Sequence, residues 1–249
     1  QYRMPEEGRI GQAWAEGPGS FRAKLPEADP REPPRIVTAR WKDELQLRPD
    51  GGLHVLSLLG DARFGEESFG GLSAGQLHLW LEEANTTTEV VAKAESDFGG
   101  ILPDRLLAER SVHLESPVLT GNTERFEVWF HHLPADTFAQ NVPHGGAGPL
   151  QNQPSDARPF GRNLQQPTTK FDVSGDVLRT QLAVAGKQVQ LRNVSVEGDA
   201  TIKETSALAA GQSPLHISGE FVHVTGADSP QARAVVAGEP AIVSGRGIS

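Results

Sequence analysis

From Val194 to Thr205 the chain reads VSVEGDATIKET, an alternation of apolar and polar residues with a period of two. Val194, Val196, Ala200 and Ile202 share one phase, and Ser195, Glu197, Asp199, Thr201 and Lys203 share the other. That period sends successive side chains to opposite faces of an extended strand, one face for a core and one for water. The run extends back to Val189, and similar runs cover Gly11 to Phe21, Ile36 to Leu47, Leu53 to Phe64, Leu72 to Leu81, Leu106 to Leu114, Val118 to Phe130, Phe171 to Val184, Leu215 to Val224 and Ala232 to Val243. Gly, Pro, Asp and Asn separate the runs, which is the punctuation of strands and turns. Helical periodicity is nearly absent. The best amphipathic segment, EVVAKAESDF (Glu89 to Phe98), is short and fits either one surface helix or a loop. The pattern predicts an all-β protein.

A glycine recurs in the apolar phase. Gly60 follows Leu56 and Leu58 and precedes Ala62 and Phe64, while Gly175 follows Phe171 and Val173 and precedes Val177. Gly219 lies among Leu215, Ile217 and Phe221, and Gly238 among Ala234, Val236 and Ile242. An acid follows each of these glycines, as Asp199 follows Gly198. Gly121, with Asn122 after it, is a weaker copy, and Gly17 has Pro18 after it. Gly175, Gly198, Gly219 and Gly238 are 23, 21 and 19 residues apart, a repeat of about two short strands. Two readings compete. The Gly-acid pair is a turn between short strands, or the glycine stays inside a strand as a kink, a bulge or a place of close backbone approach. Under the second reading, stacked inward glycines leave a trough without side chains and with apolar walls. That trough admits either a facing sheet or a long apolar ligand.

Two segments interrupt the runs. PEADPREPP (Pro26 to Pro34) is short, Pro-rich and charged. Pro134 to Thr168 is longer, rich in Pro, Gly, Gln and Asn, and too poor in aliphatic residues to offset chain entropy, which predicts a loop or linker. The chain thus divides into a first β block (1–133), a linker (134–168) and a second β block (169–249).

The repeat LRNVSVEGDATIKET, PLHISGEFVHVTG and ARAVVAGEPAIVSGRG resembles the periplasmic lipopolysaccharide-transport family (LptA-like, OstA-like). The parts that match are Val196 to Ala200, Ile217 to Phe221 and Gly238 to Ala241, with the best coverage over residues 169–249. A more diverged version covers Leu53 to Phe130. The resemblance implies an open, twisted β-jelly-roll of antiparallel strands whose apolar interior holds the acyl chains of lipopolysaccharide or a similar lipid. It also implies partners recruited by edge-strand addition, either other β-jelly-roll transport proteins or a second copy, and a periplasmic location. Interior positions implied on this basis are Val194, Val196, Ala200, Ile202, Ile217, Phe221, Val236 and Ile242. The phase argument adds Leu56, Leu58, Ala62, Phe64, Phe171, Val173 and Val177, with Gly60, Gly175, Gly198, Gly219 and Gly238 as the trough glycines. The 134–168 insertion departs from the family pattern. The first and last residues read as cuts through a longer repeat array or as the ends of a mature form.

Composition narrows the chemistry. The charges sum to 23 − 32 = −9 over 249 residues, and the lack of a sizeable basic block argues against nucleic-acid partners. No cysteine is present, so neither disulfides nor thiol chemistry arise. The eight histidines are mostly single within strands. His54, His78, His113 and His216 take the polar phase, whereas His223 shares the phase of Ile217 and Phe221. His131 and His132 are adjacent on one strand and so point to opposite faces, which is poor geometry for a shared metal ion even with His144 nearby. Glu66-Glu67 and Glu82-Glu83 are charged pairs near turns, and no nucleophile-elbow, zinc-protease or phosphate-loop motif occurs. Asn85-Thr-Thr and Asn193-Val-Ser fit the glycosylation sequon. Trp80 and Trp129 each end an alternating run, as core closures or as an aromatic platform. The expectation is a non-enzymatic lipid-binding or lipid-conducting module without metal or cofactor. A bare structural β-repeat scaffold and a parallel β-helix carbohydrate-active enzyme are the rivals.

Overall fold

The alternating runs become strands in the computed structural model, which describes residues 2–3, 10–25, 35–66, 70–83, 101–117, 119–134, 137, 170–185, 188–206, 213–227 and 232–245. The N-terminal strands are β1 (Tyr2–Arg3), β2 (Gln12–Glu16), β3 (Gly19–Leu25), β4 (Arg35–Trp41) and β5 (Glu44–Asp50). Four long strands follow: β6 (Leu53–Glu66), β7 (Gly70–Glu83), β8 (Ile101–Glu115) and β9 (Leu119–His132). The second block holds β10 (Phe171–Ala185), β11 (Gln188–Glu204), β12 (His216–Thr225), β13 (Arg233–Ala237) and β14 (Ile242–Ser244). There is no helix among the described residues. The candidate helix Glu89 to Phe98, the Pro26 to Pro34 connection and nearly all of the 134–168 linker lie outside them.

All fourteen strands belong to one open sheet in the order β1-β2-β5-β6-β7-β8-β9-β10-β11-β12-β13. At one end β4 pairs with the far half of β6 and carries β3; at the other, β14 pairs with the near half of β12. Every neighbouring pair is antiparallel except β9 with β10, which runs parallel from Leu119↔Phe171 to His132↔Val184 without a register shift. A parallel pair needs a crossover longer than a hairpin, and the segment between β9 and β10 supplies the length. This joint places the two sequence blocks in a single sheet. A row of charges on one face ties it further. Arg125 Nη1 lies 2.8 Å from Glu109 Oε1, Arg179 Nε lies 3.4 Å from Glu127 Oε2, and Arg179 also pairs with Glu197. Glu127 thus stands between an arginine of each block, because Arg125 Nε reaches its other oxygen at 2.5 Å.

One line of irregularities crosses the whole sheet. Gly60-Asp61 on β6, Arg110-Ser111 on β8 and Gly198-Asp199 on β11 are consecutive pairs with positive φ, each opposite a register shift in the neighbouring strand. Each pair occupies the place of one residue on the neighbour: Gly75 on β7, Glu124 on β9, Asp176 on β10 or Glu220 on β12. β6, β8 and β11 therefore carry one residue more, as β-bulges do. Their inward phase survives: Leu58 then Ala62, Ala108 then Val112, Val196 then Ala200. The phase of the other four reverses at the line. β7 turns inward Ala74 and then Leu77, and β10 turns inward Val173 and then Leu178. β12 likewise turns inward Ile217 and then Val222. Toward the sheet edges the bulge widens into a break. The runs predicted as single strands split there, at Gly17-Pro18 (β2/β3), at Lys42-Asp43 (β4/β5) and between Ala237 and Ile242 (β13/β14). Lys42 N–H donates to Gly60 C=O at 2.7 Å and Gly17 N–H to Asp43 C=O at 2.6 Å, so the breaks stay in register with the bulges.

Bulges bend strands and raise local twist. Both halves of the bent sheet feed one apolar cluster that includes Ala39, Leu58, Leu77, Ala108, Leu178, Val196 and Val222. Leu58, Leu77, Val196 and Val222 are fully buried, at 0 % exposure. No helix covers that face among the described residues, so a one-sided sheet reaches such burial by curving over its own apolar face. The observed architecture is the all-β fold the alternation predicts, arranged as the open, jelly-roll-like sheet the resemblance implies.

Candidate functional site

The predicted lipid-facing positions separate into four groups. Leu58, Ala62, Val173, Val194, Val196, Ala200, Ile202 and Ile217 are buried in the shared cluster. Leu56, Phe64, Phe171 and Val236 are partly buried against it and form its fringe. Val177 and Phe221 correct the expectation, because both lie past the phase reversal on their strands. Val177 pairs with Arg125 and Glu197, and the inward position belongs to Leu178. Phe221 pairs with Glu197 and stacks on His223 with ring centroids 6.1 Å apart, while Val222 takes the core position. His223 thus does share the phase of Phe221, but on the face away from the core. Ile242 is a further correction, since it stands exposed on the edge strand β14.

The glycines also take a different place from the expected row. A Cβ on Gly175 would fall 2.5 Å from Val196 Cγ1 and 3.0 Å from the Glu197 carbonyl oxygen. On Gly219 it would fall 2.6 Å from the Ala237 carbonyl oxygen. On Gly60 and Gly198, whose φ values are positive, it would run into Asp43 and Asp176, and on Gly238 into Glu220. The space beside each glycine is occupied by adjoining residues of the same sheet, a strand in most cases and the β4/β5 bend at Gly60. The glycines permit the bend, and the close approach is made by neighbouring backbone at Gly219 and Gly238 and chiefly by neighbouring side chains at Gly60, Gly175 and Gly198.

The inner surface continues past the buried cluster. Phe21, Leu45, Phe126, Phe130, Leu182 and Leu191 pack on it while remaining partly exposed. Trp41 belongs to this fringe, and Gly19 leaves room for its ring. Its indole N–H is buried with no acceptor among the described residues, an arrangement that costs about 1–3 kcal/mol while it stays unpaired. Sequence alternation alone did not mark Leu178, Val222, Phe126 and Phe130. On their strands the inward phase changes at residues that carry no glycine signal, or a glycine with ordinary φ.

On the outer face, Trp80 donates its indole N–H to Asp50 Oδ2 at 2.7 Å, and the Arg105 guanidinium lies 4.0 Å over its ring. The ring is thereby held in place, with Arg105 paired on its other side to Trp129. His78 sits 6.0 Å from the Trp80 ring and contacts the buried Ser57 hydroxyl at 2.8 Å. Burial holds the His78 imidazole below its ordinary range, Arg48 adds to the effect, and Glu109 opposes it. A histidine with a lowered folded pKa binds fewer protons folded than unfolded, so its stabilising contribution is complete above the unfolded value of about 6.5 and declines as pH falls below it. Acidification from pH 7 to pH 5 is expected to lower the thermal midpoint of the native protein more than that of His78→Gln. Parallel pH profiles for the two would refute this account.

Among the described residues no group of three or more His, Asp or Glu side chains is arranged to hold a metal ion. No described helix is long and apolar enough to cross a membrane. The chain matches no protein-family model, no curated protein and no solved structure. The fold class it presents is an open, bent, all-β sheet with one apolar face.

Proposed function

We propose that the protein is a non-enzymatic module that binds or conducts an acyl-chain lipid of the lipopolysaccharide type, in the periplasm, along the inner face of its bent sheet. The observation that carries the reading is the fringe: a sheet that does not close leaves Leu56, Phe64, Phe126, Phe130, Phe171 and Leu182 partly exposed beside a sealed core. Each ligand methylene buried on such a surface contributes about 0.8 kcal/mol, so a few acyl chains are retained without any catalytic group. The Trp41 N–H, without an acceptor among the described residues, offers one donor to an ester carbonyl at the same surface. The open edges at β3 and at β13–β14 leave backbone groups for strand addition by another sheet protein or a second copy. Val235 and Val243 stand exposed on the second of these edges.

A second reading, a structural β-repeat without ligand, draws on the glycines, whose neighbouring space is already filled. The two readings separate by experiment. The purified protein carrying a photoreactive phenylalanine analogue at Phe130 is expected to crosslink lipopolysaccharide, and native mass spectrometry is expected to show acyl-chain adducts. If both come back empty, the scaffold reading replaces the lipid one.

A further inference from the structure

We propose a phosphoryl-binding site on the outer face of the sheet, built by Arg40, Arg63 and Arg22 over a glycine floor. Arg40 on β4 and Arg63 on β6 are directly opposed partners in an antiparallel pair, and both are exposed. Directly opposed side chains have Cβ atoms about 4.5–5.5 Å apart, and like charges there repel. Neither arginine has an ion-pair or hydrogen-bond partner among the described residues, although the chain as a whole is strongly acidic. Arg22 on β3 lies opposite Thr38, one residue along β4 from Ser20↔Arg40's neighbour Phe21↔Ala39, and is likewise exposed and unpaired.

The space around them is concave. One hollow of about 340 Å³ is bounded by Arg40, Arg63, Ser73, His113 and Glu115, and an adjoining hollow of about 640 Å³ by Arg22, Thr38 and Arg40. Gly65 belongs to both, and Gly71 to the first. A Cβ on Gly71 would meet nothing closer than 3.9 Å and one on Gly65 nothing closer than 3.4 Å, so the floor is open. His113 Nδ1–H donates to Asn122 Oδ1 at 2.9 Å, which directs the ring and leaves Nε2 for another partner. Glu115 is the single carboxylate among these lining residues, against three guanidinium groups.

The chemistry selects the ligand. One guanidinium fork satisfies one carboxylate, but adjacent forks match a group with three oxygens and about two charges, which is a phosphate monoester or free phosphate. Binding such a group also removes the Arg40–Arg63 repulsion. This site is independent of the acyl-chain reading, since it lies on the opposite face of the sheet. A lipid headgroup and a free phosphate share the same chemistry.

The test uses the full chain, the double variant R40Q/R63Q and the charge-matched control K203Q/R233Q, all four positions being exposed on strands. Flotation with phosphatidic acid vesicles against phosphatidylcholine vesicles reads a headgroup, and calorimetric titration with inorganic phosphate reads the free ion. In whichever assay binds, R40Q/R63Q is expected to weaken affinity about tenfold or more, with the control unchanged and the thermal midpoint of R40Q/R63Q equal to or above that of the native protein. Vesicle binding alone assigns a headgroup, and phosphate binding assigns the free ion. Affinity that is absent in both assays, or equal in the two variants, overturns the site. Retention of phosphate-free diacylglycerol is measured alongside. Its presence without phosphate dependence removes this site and leaves the lipid reading standing, whereas phosphate binding without it does the reverse.

Discussion

Gly198→Leu is expected to destabilise the fold by about 2–4 kcal/mol, read as a fall in the urea midpoint with an unchanged slope. Two causes add. Gly198 has φ +73°, a region where a residue with a Cβ pays about 1–3 kcal/mol. The new Cβ would also lie 2.1 Å from Asp176 Oδ2 and 2.8 Å from Asp176 Cβ. The exposed carboxylate is able to swing aside, but its Cβ moves only if β10 moves. Gly198→Asn is expected to cost clearly less, because asparagine tolerates the left-handed region. Asp199 already occupies that region at φ +45°. A leucine variant with native stability and lost lipid retention would restore the picture of glycines lining a ligand trough and remove the bend from the explanation. Against a total stability of about 5–15 kcal/mol for an ordinary domain, the expected loss is easily resolved.

Leu58→Ala is expected to cost about 2–5 kcal/mol, the range for deleting a fully buried leucine and leaving a cavity. Leu58 and its cross-strand partner Leu77 are both at 0 % exposure. Leu77→Ala should match it, and the double variant should cost less than the sum, because paired residues share one cavity. Leu56→Ala, two residues away on the same face but only partly buried, is expected to cost far less and to weaken acyl-chain retention instead. A loss below about 1 kcal/mol for Leu58→Ala would mean that the inner face is not a packed core. The sheet would then have to be flatter than its burial indicates.

Much of the architecture was legible in the alternation. The long runs became β6 to β12 with ends shifted by only a few residues, because period-two patterning reports which face is buried and that is a local property of a half-buried strand. The three runs that each split in two did so at Gly17-Pro18, Lys42-Asp43 and Gly238 to Ala241. Alternation by itself passes through such a break. The candidate site was legible to a smaller degree. Leu56, Leu58, Ala62 and Phe64 were placed correctly on the inner face, since β6 keeps its phase. Val177 and Phe221 were not, and their neighbours Leu178 and Val222 went unmarked. The bulge on β8 gave no signal at all, for Arg110-Ser111 contains no glycine and yet takes φ values of +70° and +52°.

Arg40 and Arg63 show the same limit for a polar site. Each is an ordinary outward residue in its own strand, 23 positions apart in sequence, and only the β4–β6 pairing brings them face to face. The parallel joint between β9 and β10 is likewise a tertiary fact, which the linker's length permits without requiring it.

Gly175-Asp176 and Gly198-Asp199 look alike in the sequence, an inward glycine followed by an acid. By itself the sequence determined that the residues before them face a core and that something other than a plain strand occurs there, either a turn or an irregularity inside a strand. Only the tertiary structure decided that they do opposite things. The two pairs meet across β10 and β11, and the bend requires one extra residue on one strand of the two. Gly198-Asp199 takes it, with both φ values positive, and keeps its phase; Gly175-Asp176 faces it with one residue fewer and reverses. A bulge is a difference in residue count between neighbours, so its effect on which side chain faces inward is settled by pairing and by nothing within either strand alone.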